Sequence, residues 1–192
     1  MVNRLTRAVS PGSKAVPQGP QRCAHERAQR WLVGQAGPVE ESLFDDVGDI
    51  LLGVAPDALG PCRFRAHRYG IKVWFGPEKP IREHYEAQVI GAKEVEGASL
   101  LALEIGFHSE HPKEAENDAV IAHLLDHERS WRRALGAEAE VGPFLGRNDS
   151  WRRVSEAWPD PDLSAPDLGL EIALRLVDYV SVLEPVRRRR DP

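Results

Sequence analysis

A chain of 192 residues, 42% hydrophobic and 29% charged, is long enough to bury a core of its own and has the balance of an ordinary folded domain. A net charge of -5 excludes a body that binds nucleic acid by bulk electrostatics, and no apolar run approaches the roughly 18 residues that span a bilayer. Two cysteines, Cys23 and Cys62, stand far apart and form no CxxC, which argues against a disulfide or a thiolate metal site.

Residues 1–22 are basic, carry no acid and hold almost no large apolar residue, so they are expected to form a disordered arm. They lack the apolar centre of a signal peptide, and a cytoplasmic protein is expected. A single domain follows over 23–187, helical at its start (23–55) and mixed over 62–187. "CAHERAQRWLV" reads as a short helix. "VEESLFDDVGDILLGV" reads as a second, with Leu43, Phe44, Val47, Ile50 and Leu51 at helical spacing.

The period then changes. In residues 63–75, "RFRAHRYGIKVWF", Tyr69, Ile71, Val73 and Phe75 alternate with more polar neighbours, as in a half-buried strand. "EHYEAQVI" repeats the pattern with Tyr85, Ala87 and Val89, and "SLLALEIGF" with Leu101, Leu103, Ile105 and Phe107. A three-stranded antiparallel meander is expected. One helix over 113–136 follows, stopped by Gly136, then a further hairpin from "AEVGPFLG" and "SWRRVSEAW". The last helix is amphipathic through Leu170, Ile172, Leu174, Leu176, Val177, Val180 and Leu183, closed by Pro185, and 188–192 is a basic tail. Strands and helices segregate, which predicts an α+β fold with an antiparallel sheet and helices packed on one face.

Four of the seven histidines fall between Glu104 and Glu128. His123 and His127 are spaced to share a metal on one helix face, but the lengths separate them from His108 and His111. His123 lies ten residues into the helix, about 15 Å from its start, level with a strand residue near Glu104. The helical wheel puts His127 at the border of the apolar face and His123 towards water. No metal ligand set and no cofactor are therefore assigned. His108, His111 and Asn117 remain as the edge of a ligand pocket at the turn into the helix, where free N–H groups suit an anion.

The outward sheet face gives a second constellation. A turn centred near Lys79 sets Lys72 opposite Glu86 and Trp74 opposite His84, and one near Val95 sets Glu86 opposite Glu104. Trp74 and His84 would then line a binding face. Facing carboxylates with Lys72 beside them could bind Mg²⁺ or serve acid–base chemistry, so Glu86, Glu104 and Lys72 are the catalytic candidates. GxSxG, Walker and GxGxxG motifs are absent from the sequence.

From Cys62 to Arg187 the layout resembles a bacterial domain of unknown function often found after restriction-nuclease-like domains. The resemblance is carried by "LALEIGF", "ERSWRRALG", "AEVGPFLGRNDSWRRVSEAW" and "VDYVSVLEP", with Leu135-Gly136 and Glu184-Pro185 as its positions. It implies an accessory or binding domain. The first expectation is thus a non-catalytic binding module for a partner protein or small anion. The alternatives are a metal-assisted hydrolase or nuclease, and contact with nucleic acid through the basic ends and the two "SWRR" segments; no membrane contact is expected.

Overall fold

Period-two patterning in the middle of the chain lays down the sheet that positions every candidate residue. In the computed structural model, which describes residues 42–78, 82–146 and 148–190, four strands form an antiparallel meander: β1 (Cys62–His67), β2 (Gly70–Phe75), β3 (Glu83–Gly91) and β4 (Leu101–Ser109). Strand β6 (Arg152–Pro159) then pairs with β4, and β5 (Glu140–Pro143) forms the edge, giving the order β1-β2-β3-β4-β6-β5. Helices α1 (Leu43–Val54), α2 (Glu114–Leu125), α3 (Glu128–Leu135) and α4 (Leu168–Arg188) lie on one side. The α+β architecture is the one the sequence predicts. The arm over 1–22 and the helix expected near residue 23 lie outside the described residues.

Three elements differ from expectation, each for a local reason. The single strand read over 63–75 is two, joined by a turn at Arg68 and Tyr69, with His67 paired to Gly70. The sequence holds the sign of this. Phe64 and Ala66 pack on the core from even positions, whereas Ile71, Val73 and Phe75 do so from odd ones. One straight strand cannot put both sets on the same face.

The helix over 113–136 breaks after Leu125. The buried indole of Trp131 donates Nε1–H to Leu124 O at 2.8 Å, so a side chain takes a carbonyl that a continuous helix would use for its own ladder. Helix α4 runs through Pro185 to Arg188, and Leu170 and Leu174 are about half exposed rather than buried.

The core lies between sheet and helices. Ile71, Val73, Leu103, Ile105 and Phe107 from the sheet meet Val47, Leu124, Trp131, Ile172 and Leu176, all at most 1% exposed. Full burial of such side chains contributes roughly 1.5–3 kcal/mol each. Asp160, with a positive φ of 46°, accepts the backbone N–H groups of Ser99, Leu100 and Leu101 and ties the β3–β4 connection to the end of β6.

The basic end of the chain is not simply solvated. Arg187 and Arg188 hold the buried Glu184 at 2.7 and 2.9 Å, Arg188 donates to Leu59 O, and Arg187 and Arg190 pair with Glu83. Burial raises the pKa of both glutamates, and their partners outweigh it, so each carboxyl lies below its usual range. The bonds from His111 and Arg190 do this for Glu83, and those from Arg187 and Arg188 for Glu184.

Candidate functional site

Strands β3 and β4 are buried along all nine residues of each, so the face away from the helices is also shielded. On that face the chain places Lys72 and Trp74 from β2, His84, Glu86 and Gln88 from β3, Glu104 and His108 from β4, and Arg153 and Ser155 from β6. Phe144 packs its ring against His108 at 4.5 Å and against Trp151 at 5.4 Å. A buried polar face survives only if its groups satisfy one another, because each unpaired one costs about 1–3 kcal/mol.

Register decides which groups meet. Lys72 stands opposite Glu86, as expected. Glu86 stands opposite Gly106, however, and Glu104 opposite Gln88, so the two glutamates are not a facing pair. The β3–β4 connection holds a 3-10 turn at Ala92–Glu94, which moves the hairpin off the centre near Val95.

Gly106 then becomes important. A Cβ there would lie 2.4 Å from the Cα of Ser155, so only glycine lets β4 and β6 approach this closely. Glu104 and His108 flank it on the same strand, roughly 13 Å apart at the Cα atoms. Across the side-chain-free position their ends still meet, with Nε2 of His108 donating to Glu104 Oε1 at 3.3 Å.

His108 is bonded at both ring nitrogens, since Nδ1 donates to Glu86 Oε2 at 3.0 Å. Burial alone would discharge the ring. The charge and hydrogen bond of Glu104, and those of Glu86, reverse this and push its pKa up to about 9. Glu104 is saturated in turn by Gln88 and by Ser155, each at 2.7 Å. Burial pushes its carboxyl up, but His108, Ser155 and Gln88 hold it below the usual range. Arg153 supports this end by donating to Ser155 Oγ at 2.9 Å and pairing with Glu140 at 3.0 Å.

The other end reaches solvent at Lys72, 22% exposed at its side chain, and Glu110, 12% exposed. Nζ of Lys72 lies 2.7 Å from Glu110 Oε1, 3.0 Å from His84 Nε2 and 3.3 Å from Glu86 Oε2. Burial, first, and the Lys72 charge lower the pKa of His84 despite the opposing Glu86 bond, so the ring is neutral. Its Nδ1 is buried with no hydrogen-bond partner, so Nε2 is the only ring atom at work. For Glu86, burial raises the pKa, and Lys72 with the His108 and His84 bonds overcomes it to hold the carboxyl well below its usual range.

One donor of each of His84, Glu86, His108 and Glu110 lies within 4.8 Å of the other three, the single such group of metal-ligating side chains among the described residues. The separations of His84–Glu86, His108–Glu86 and His84–Glu110 are 3.3, 3.0 and 3.6 Å. Tetrahedral ligands at zinc bond lengths of about 2.0–2.2 Å are separated by about 3.4 Å, so these spacings match such a shell. Glu104 behind His108 supplies the carboxylate that metal-bound imidazoles usually have at their other nitrogen.

The sequence placed Lys72, His84 and Glu86 on the outward sheet face and His108 also at the turn beyond it, and the sheet brings all four together. Glu110 was missed, although Glu104, His108 and Glu110 share one parity along the chain. Trp74 is buried and donates to Pro77 O at 2.8 Å. His111 binds Glu83 at 2.9 Å, away from His108's partners. Asn117 is fully buried and spends its amide on Ser109, Ser150 and the His111 backbone, a structural role. His123, expected to face water, is half-buried with Nε2 donating to Val186 O at 2.8 Å.

Three of the four "SWRR" arginines are engaged as well: Arg132 with Glu128, Arg152 with Glu114 and Asp118, and Arg153 with Glu140, while Arg133 is exposed. Among the described residues no helix is long and apolar enough to cross a membrane. A scan against protein-family models, a search of curated proteins and a search of solved structures each gave no match to this chain.

Proposed function

We propose that this chain is a binding domain without catalysis of its own, and that its sheet face receives a divalent first-row cation such as Zn²⁺ rather than an anion. The observation that carries the reading is the convergence of His84, Glu86, His108 and Glu110 donors within 4.8 Å. Two imidazoles and two carboxylates form a nitrogen and oxygen set that suits zinc better than magnesium, which prefers oxygen and retains water. An anion fits poorly here, because Glu86 and Glu110 border the centre and the nearby ammonium of Lys72 is already bound to Glu110 at 2.7 Å.

The hydrolase reading rested on a facing pair of Glu86 and Glu104. With Glu104 saturated by Gln88, Ser155 and His108, that pair has no free carboxylate on its inner side. His108 accepts a cation at Nδ1 only when that nitrogen gives up its proton, so binding releases protons to the buffer.

Equilibrium dialysis of the full chain, produced without a metal-affinity tag, tests the reading. One zinc per chain is expected, with loss of binding in Glu86→Gln and in His84→Ala. Absence of bound zinc in the folded wild-type protein contradicts it.

A further inference from the structure

We infer that Lys72 is a built-in competitor for this cation: its ammonium lies against three of the four donors, and a divalent ion enters only as Lys72 swings out to solvent. The inference rests on the metal-binding reading above and adds what controls it. Nζ of Lys72 contacts three of the four donor side chains, Glu110, His84 and Glu86, at 2.7, 3.0 and 3.3 Å. Its N–H groups bond Glu110 and reach the His84 ring, and Glu86 completes the surroundings as an ion pair. A metal bound to these atoms would compete with the ammonium for the same three partners.

Two further features fit a displaceable rather than a permanent cation. The Lys72 side chain is 22% exposed, so a path to water exists beside Glu110. Across the sheet, Lys72 is the register partner of Arg65, an exposed residue of like charge on the same face. Like charges directly opposite on a sheet repel, which biases Lys72 inwards, towards the carboxylates, and sets a cost for its departure. The metal affinity of the protein is therefore the intrinsic affinity of the donor set reduced by the fraction of molecules in which Lys72 has left. A cation that gains little from imidazole, such as Mg²⁺, does not recover that cost, so Lys72 also acts as a specificity residue.

Calorimetric titration of ZnCl₂ into the full-length wild-type protein and its Lys72→Met variant reads the effect. Methionine keeps much of the stem and removes the charge. Zinc binding to the variant is expected to tighten by about tenfold or more, as for a competent state populated at a tenth or less. Equal affinities overturn the competitor role and leave the metal site standing. Absence of zinc binding in both proteins overturns the metal site, and the competitor role with it.

Should Lys72→Met not fold, amine acetylation of the wild-type protein, followed by mass spectrometry, separates the same outcomes. Zinc is expected to raise the reactivity of Lys72 while Lys93 and Lys113, both largely exposed, stay unchanged. Zinc binding with unchanged or lowered Lys72 reactivity refutes displacement.

Discussion

Stability towards alkali isolates the charge on His108. In the unfolded chain this imidazole has its ordinary pKa of 6.5, and in the fold Glu104 and Glu86 raise it to about 9. The folded state therefore binds the extra proton between these values. Its stabilisation is fully present below pH 6.5 and is lost as pH rises through about 9. At about 1.36 kcal/mol per pKa unit the loss is on the order of 3 kcal/mol, a large part of a typical domain's stability.

On the acid side His84 acts in the opposite sense. Its pKa is depressed in the fold, so its contribution is present above 6.5 and is lost as pH falls below it. Glu86 and Glu104, both held below 4.5, lose theirs at still lower pH. A maximum near pH 6.5 follows. The half-buried Cys62 thiol, pushed by burial up to about 11 from 9.0, adds its own alkaline loss only above pH 9, outside the window. Urea unfolding followed by tryptophan fluorescence between pH 6.5 and 9 measures the slope, and His108→Gln should flatten it while lowering stability at pH 6.5. A flat wild-type profile, or an equal slope in the variant, would show that His108 is neutral in the fold.

Packing, ion pairs and charge each have their own test. Gly106→Ala places a Cβ 2.4 Å from the Ser155 backbone and should lower stability by about 3 kcal/mol or prevent folding, as chemical denaturation will show. Ending the chain after Val186 removes the arginines from Glu83 and Glu184 and leaves both carboxylates buried and short of partners, at an expected cost of about 3–5 kcal/mol; a solvated tail would give no change in melting temperature. Trp131→Phe keeps an aromatic ring and deletes the bond to Leu124 O, so a loss of about 1–2 kcal/mol is expected on urea unfolding. Fluorescence anisotropy with a labelled oligonucleotide should show no tight, steeply salt-dependent binding, given the pairing of Arg132, Arg152 and Arg153 with acids.

What could be read from the sequence and what could not divide along physical lines. Alternation in β3 and β4 identified their core faces, because one face of each is apolar throughout. The turn at Arg68 and Tyr69 was also legible, in the parity switch between Ala66 and Ile71, but strand period alone passes over it. The helix break depends on Trp131 reaching Leu124 O, a tertiary contact with no periodic trace. The site was visible in pieces. Lys72 opposite Glu86 followed from a short turn, whereas Glu86 opposite Glu104 depended on a longer connection, and a shift of two positions in that hairpin replaced the partner by Gly106. Burial of the whole polar face was not legible at all, since Lys, His, Glu and Gln in alternation normally mark a surface exposed to water.

Four side chains, from β3, β4 and the residue just beyond β4, converge closely enough to surround one cation. Zinc-edge X-ray absorption of the zinc-loaded protein tests this most directly, because it reports ligand type and distance together. Four nitrogen or oxygen neighbours are expected at about 2.0–2.2 Å, two of them imidazoles, with an imidazole lost in His84→Ala. A shell of oxygen neighbours without imidazole scattering would contradict the proposed site.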